Sequence, residues 1–436
     1  MRVLFTTYPE KTHFMLLAPL AWALRTAGHE VRVAVQPRFV DTVTQAGLTA
    51  VPIGRDRDLW DTMGRVRELE VDDWLTLDGA GWPVPYGAAA KPAGEVTWED
   101  LVDGYERNVT RWHKVSNMPM IGDLVMFARY WQPDLVIWEP VTFAGAVAAV
   151  ACGAAHARLL IGTDVYAITR DHFRRLSAQQ PEDTRKDPLG DWVAGYGRKY
   201  GLVDTDATRE ELIRGQFTID LLPPSLHLQG KGHYESLRYT PYGGAAKVPA
   251  WLWRPPSRPR VALTMGLTIN DRGTGYPIDV QETLDALADL DIEVVASIVE
   301  EEQAKLTEIP ENAHLVSYVP LQALLPSCTA VIHHAGVGTL ATAALNGLPH
   351  LCVPWDTDQP LIADRLAEMG AGLTIPASQA TGSAIRESLL RLLTEPSFRT
   401  GAQRLQMEFQ AQPSPNEFVP RLVALADEYR RVATNA

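Results

Sequence analysis

His13, the pair His333-His334 ahead of Gly336-Val337-Gly338-Thr339, and the pair Asp358-Gln359 are the residues of this chain whose types and spacing could do chemistry. An apolar run from Thr329 to Ile332 has the pattern of a buried parallel strand; it breaks at the histidines, and a helical pattern starts at Val337. A strand that feeds a helix through glycines aims backbone N–H groups at whatever lies before the helix, which makes a phosphate site. The helix ends at Asn346-Gly347, and a second buried strand, His350 to Pro354, delivers Asp358 and Gln359 to where a group attached to that phosphate would sit. This half therefore reads as a grip for a nucleotide diphosphate carrying a sugar. His13 stands far away in sequence, where a first strand ends. A neutral imidazole there can serve as general base on a hydroxyl of a second substrate; a capping or hydrogen-bonded loop histidine is the equally open structural reading.

Those residues need two runs of alternating strands and helices behind them. In the first, strand Arg2 to Thr7 precedes a helical pattern from Phe14 to Ala27, strand Glu30 to Val35, helix Arg38 to Ala46 and strand Leu48 to Ile53. Such alternation through short glycine turns predicts a parallel doubly wound sheet, whose ligands bind at the carboxyl ends of the strands. No G-x-G-x-x-G follows the first strand, which speaks against a nicotinamide oxidoreductase. A further strand, Pro133 to Ile137, ends in Trp138-Glu139-Pro140. Glu139 there either orients and charge-balances His13 or faces the next helix N-terminus. Trp138, Phe143 and Tyr166, at or beyond strand ends, are candidates for an acceptor wall. The stretch from Arg55 to Ser116 has no clear pattern, but its Trp60, Trp74, Trp82, Trp98 and Trp112 could shape an apolar pocket or form a lid. Residues 223–258 are rich in Pro and Gly and read as a linker between an N-terminal domain, 1–222, and a second α/β domain, 259–413. There Gly266 marks a strand end open to close ligand approach. A last apolar-periodic segment, within 414–436, is expected to cross back onto the first domain.

The chain has 436 residues, more than one core usually holds. Its apolar content of 46% and charged content of 21% are those of a soluble globular protein, and the net charge of −13 opposes binding to nucleic acid. No 18-residue apolar run and no signal peptide is present, so the expectation is a cytoplasmic protein without a membrane span. Cys152, Cys328 and Cys352 are far apart in apolar surroundings and read as buried free thiols, not metal ligands.

The motifs together resemble those of GT-B-fold glycosyltransferases of antibiotic biosynthesis, which move deoxysugars from dTDP to macrolide or aromatic polyketide aglycones. The resemblance spans nearly the whole chain. It rests on Pro19-Leu20-Ala21-Trp22-Ala23-Leu24 with Ala27-Gly28-His29-Glu30-Val31, on Pro133-Asp134-Leu135-Val136-Ile137-Trp138-Glu139-Pro140, on Val319-Pro320-Leu321-Gln322-Ala323-Leu324-Leu325-Pro326, and on His333-His334-x-Gly336-x-Gly338-Thr339. It is strongest to desosaminyl and anthracycline aminosugar transferases that work with a cytochrome P450-like helper. The resemblance implies two Rossmann-like doubly wound domains facing across a cleft, with a C-terminal helix crossing back. It makes His13 the base, puts the diphosphate on the His-His-x-Gly turn (His333, His334, Gly336, Val337, Gly338, Thr339), and gives the sugar hydroxyls to Asp358 and Gln359. Val319 and Leu321 would line the base pocket. The expected partners are a dTDP-deoxysugar and a hydrophobic aglycone, with a P450-like activator and a homodimer compatible with the resemblance. No metal or cofactor is expected, since a helix terminus and an imidazole can replace a divalent ion. A GT-B relative that binds nucleotide sugar without transferring it, epimerase-like or an inactive partner subunit, is the alternative. One departure stands out: Ala335 occupies a position that is commonly Gly, which matters only where the backbone needs positive φ.

Overall fold

The computed structural model describes residues 1–56, 85–266, 276–355 and 358–430, so Trp60, Trp74 and Trp82 lie outside the described residues. Two all-parallel sheets organise the chain. The first has seven strands in the order β3-β2-β1-β4-β5-β6-β7: β1 (Arg2–Thr6), β2 (Glu30–Val35), β3 (Ala50–Pro52), β4 (Leu135–Trp138), β5 (Ala155–Leu159), β6 (Phe217–Asp220) and β7 (Tyr234–Ser236). The second has six in the order β10-β9-β8-β11-β12-β13: β8 (Arg260–Thr264), β9 (Glu293–Ser297), β10 (Ala313–Val316), β11 (Ala330–His333), β12 (His350–Cys352) and β13 (Gly372–Thr374). The central strands are buried along their length, as parallel strands with helices on both faces must be, and their sequences are accordingly near-continuous apolar runs.

The winding of each sheet reverses once, between β1 and β4 in the first and between β8 and β11 in the second. Strands on either side of such a reversal send their following segments to opposite faces, which opens a crevice at their carboxyl ends. Thr6 pairs with Trp138 at the first reversal and Thr264 with His333 at the second. His13 and Glu139 follow β1 and β4; Gly266 and His334 follow β8 and β11. The chemistry-bearing residues thus sit at the two crevices.

Three expectations need correction. The helix after β1 begins at Lys11, not Phe14, and runs to Thr26, so His13 lies in its first turn and not in a loop. Lys11-Thr12-His13 are polar and add nothing to the apolar periodicity from which a sequence reading finds a helix start. Second, the stretch read as linker supplies β7 and buries Leu226, Leu237 and Tyr239 in a core continuous with Ala335, Leu340 and Ile362 of the second half. Third, the helix read as Ile121 to Trp131 starts at Lys114 and is entered from Trp98–Asn108 through a wide, π-type turn at Val109–His113.

The last helix, Pro415–Tyr429, opens with a capping box between Ser414 and Glu417. It lies on the first sheet, with the Tyr429 ring stacked on Phe217 at 5.7 Å and Arg430 paired with Asp134. Just before it the chain returns beside its own outward crossing: Arg238 N–H donates to Pro413 O at 2.8 Å, and Gln412 Nε2 donates to Leu222 O at 2.8 Å.

Candidate active site

A cavity of about 250 Å³ lies between the carboxyl ends of the two sheets and is lined from both halves. On the first half, His13 presents an imidazole whose Nδ1 stands 3.6 Å from Glu139 Oε2. That is an electrostatic approach and too long for a hydrogen bond. Glu139 is fully buried, and a buried carboxylate must be satisfied. Its Oε2 accepts from Val141 N–H at 2.9 Å, and its Oε1 accepts from the Thr142 hydroxyl. Thr142 Oγ1 in turn accepts from Tyr8 N–H at 3.0 Å. Glu139 therefore fixes the turn ahead of helix Ala144–Cys152 and also faces His13. Through Thr142 it also ties the turn after β4 to the turn after β1. The edge of the Tyr8 ring meets the imidazole, with centroids 4.9 Å apart and planes at 87°.

Of the residues expected to form the acceptor wall, Tyr166 lines the cavity. Trp138 and Phe143 do not. Trp138 is completely buried at the end of β4, donates from Nε1 to His156 Nδ1 at 3.3 Å, and lies so close to Gly145 that a Cβ there would meet its ring. Phe143 packs edge-on against His113 and Trp192 inside the first domain. Tyr8, Trp112 and Val141 form the wall with Tyr166 instead. Trp98, from the same uninterpreted stretch as Trp112, packs on Phe173 away from the cavity.

On the second half, β11 ends at His333 and its neighbours turn into helix Val337–Leu345. The two histidines go opposite ways. His334 lines the cavity, gripped between two glycines: a Cβ on Gly266 would fall 2.5 Å from its Cε1, and one on Gly336 would collide with its Nε2. Gly266 also has φ +82°, a backbone region that disfavours side chains. His333 is fully buried beneath the turn and does not line the cavity, contrary to the contact expected of it. Successive side chains on a strand point to opposite faces, so only one of two neighbouring histidines can face the ligand. Burial, then the neighbouring His350 and His334, holds the His333 imidazole well below its usual range, so it stays neutral. Ala335 does adopt positive φ, 66°.

The helix N-cap is Gly336, which offers no side chain to the first-turn amides. The first N–H groups of a helix have no acceptor within it. Gly336, Val337, Gly338 and Thr339 line the cavity with those donors and the positive end of the helix dipole. Val319 and Leu321 line it together with Ser297, the last residue of β9, and Ser317 and Tyr318, beyond the end of β10. Gln359 lines it too and is steadied by accepting from Trp355 N–H at 3.2 Å. Asp358 reaches across the cleft: its Oδ2 accepts from Thr163 N–H at 2.6 Å, and its carboxylate fills the space a Cβ on Gly162 would need.

Sequence reasoning missed Tyr239 and Tyr242, which line the cavity from the supposed linker, along with Tyr8; Trp112, named among the tryptophans that could shape a pocket, does line it. For Tyr8 a signal existed, two residues past the end of β1. For the linker tyrosines none did. Among the described residues no group of three or more His, Cys, Asp or Glu side chains is placed to hold a metal ion, and no helix is long and apolar enough to cross a membrane.

Comparison with known proteins places this geometry. Residues 22–266 match the N-terminal domain, and residues 281–425 the C-terminal domain, of the Erythromycin biosynthesis protein CIII-like family. The chain is 42% identical to 10-deoxymethynolide desosaminyltransferase of Streptomyces venezuelae over 100% of both chains. It is also 42% identical to aclacinomycin-T 2-deoxy-L-fucose transferase of Streptomyces galilaeus, over 99% of this chain and 97% of the relative. Among solved structures, the glycosyltransferase VinC in complex with dTDP superposes with a TM-score of 0.84 at 39% identity, covering 98% of this chain and 100% of that one. The two facing parallel-sheet domains are those of a GT-B glycosyltransferase, and the chain belongs to the Erythromycin biosynthesis protein CIII-like family of glycosyltransferases.

Proposed function

We propose that this glycosyltransferase moves a deoxysugar from a dTDP-sugar to a hydroxyl of a polyketide-type aglycone, with inversion at the anomeric carbon and without a metal ion. The observation that carries the reading is that His13, at the first sheet's reversal, and the His334 turn, at the second's, line one cavity. Relatives named for desosamine and 2-deoxy-L-fucose transfer, and a solved neighbour with dTDP bound, support the donor class.

His13 Nδ1 faces Glu139, which leaves Nε2 to accept the proton of the acceptor hydroxyl. As the O–H bond breaks, the oxygen bonds to the anomeric carbon from the face opposite the diphosphate. The bond from that carbon to the diphosphate oxygen breaks, and its electron pair leaves on the phosphate. The Glu139 carboxylate offsets the charge gained by the imidazole. Charge growing on the departing diphosphate meets His334, the amides of Val337 to Thr339 and the helix dipole. Tyr8, Trp112 and Tyr166 give the aglycone an aromatic wall, and Asp358 and Gln359 reach the sugar.

The test has two arms. His13→Ala should abolish transfer while dTDP binding, followed by calorimetry, persists; unchanged turnover would remove His13 as base. dTDP should bind more tightly than UDP, equally with Mg²⁺ or EDTA, and His334→Ala should lose it. Binding that appears only with Mg²⁺ would overturn the metal-independent reading. The P450-like helper that the resemblance implies is tested in the same transfer assay, with and without it.

A further inference from the structure

His333 takes no part in the cleft, yet its contacts converge on the turn that forms it. Its Nδ1 lies 3.0 Å from Ala335 N, its Nε2 lies 2.9 Å from His350 Nδ1, and Cys352 Sγ approaches the same Nε2 at 3.7 Å. A backbone N–H can only donate, so Nδ1 of His333 must carry the lone pair and Nε2 the proton. The Nε2–H then donates to His350 Nδ1, which puts the His350 proton on its own Nε2. One tautomer of each ring is thereby fixed by the chain of donors, starting from an amide. That amide belongs to the one residue of the turn whose backbone is held left-handed against a side chain's preference, Ala335 at φ 66°. Ala335 is 1% exposed, so water cannot take over from the imidazole.

We propose that His333 is a positioning residue for the diphosphate turn: its Nδ1 lone pair holds the Ala335 amide, and with it the left-handed bend that presents His334 and the first helix amides to the cleft. The inference rests on the reading of that cleft as a nucleotide diphosphate site. A phosphate contact by His333 itself is excluded by its burial beneath the turn and by the engagement of both its nitrogens.

Two substitutions separate the ring nitrogens. His333→Asn sets a carbonyl oxygen near the position of Nδ1 and keeps an acceptor for Ala335. His333→Gln sets an amide near Nε2, keeps the donor to His350 and leaves the Ala335 N–H unmet. Calorimetry with dTDP is expected to find the Asn variant within about threefold of the parent and the Gln variant weaker by roughly tenfold or more, the cost of one unmet buried donor. Donor kcat/KM should follow the same order while the acceptor KM stays unchanged, which general loosening of the fold would not produce. Ala335→Gly in the Gln background should restore only the part of the affinity lost to the steric cost of the bend, because glycine adopts the bend unaided but keeps the unmet N–H. Equal losses in the Asn and Gln variants, or no loss in either, would overturn the proposal. Should the Gln variant fail to fold, ¹⁵N spectra of the parent decide: an Nε2–H tautomer at His333 is expected, and an Nδ1–H tautomer refutes it. If the parent itself binds no dTDP, the site reading has failed, whereas the tautomer result still reports on the Ala335 bond.

Discussion

Ala335 shows how much one backbone angle can carry. Its φ of 66° is open to glycine at no steric cost, while an L-side chain pays about 1–2 kcal/mol to sit there. Ala335→Gly should therefore raise unfolding stability, by about 1 kcal/mol at most once the added freedom of the unfolded glycine is subtracted, as read from denaturant midpoints. A loss of stability would mean that the Ala335 methyl packs better than the bend strains it. The sequence reading reached the right question at this position, since the methyl matters only at positive φ, but φ is set by what surrounds the turn. His13 and the glycines around His334 were legible because spacing puts them at strand ends. Trp138 and Phe143 were not. In a strand buried on both faces, such as β4, every residue is apolar, so the pattern cannot say which face a given side chain takes.

Adjacent strands β11 and β12 bring His333 and His350 together, and this pair makes the second half sensitive to acid. Burial pushes His350 down to about 3 and holds His333 well below its usual range; in the first half burial also pushes His113 down to about 3. Unfolded, each imidazole takes up a proton near pH ~6.5. The unfolded state then binds more protons than the folded one, so stability is full above that pH and falls as pH drops through it, levelling off only near the folded values. Each group contributes about 1.4 kcal/mol per pH unit inside that window. Melting temperature should accordingly fall steadily from about pH 6.5 downward, and a flat profile to about pH 5 would show that these imidazoles are not held neutral. Among the elements, strands were the most legible, because apolar runs bounded by Gly and Pro admit few other readings. Helix starts were less so: Lys11–Thr26 opens with polar residues and an N-cap, Glu10, that makes no side-chain cap.

Both halves of the molecule place their cavity-lining turns at a strand-order reversal, and the alternation that predicts doubly wound sheets also predicts that placement. Less legible was the connection between them, since Pro and Gly mark irregular backbone and not exposure; Leu226, Leu237 and Tyr239 are buried there. Across the cleft, Asp358 holds the Thr163 amide in the space left by Gly162. Gly162→Ala should displace the carboxylate, break that bond and shift the balance toward separated halves by roughly 1 kcal/mol, about fivefold. Small-angle scattering of the free protein should then report a larger radius of gyration than the parent; an unchanged radius would show that Asp358 does not hold the cleft. Both covalent passages between the halves run side by side, stitched by Arg238 to Pro413 and by Gln412 to Leu222. Two bodies sewn along one edge move like the covers of a book, and rotation about the spine is their soft motion. His13 and His334 are therefore kept in register along the spine, while the opening angle sets the distance between them. Only the opening angle remains for substrates to set.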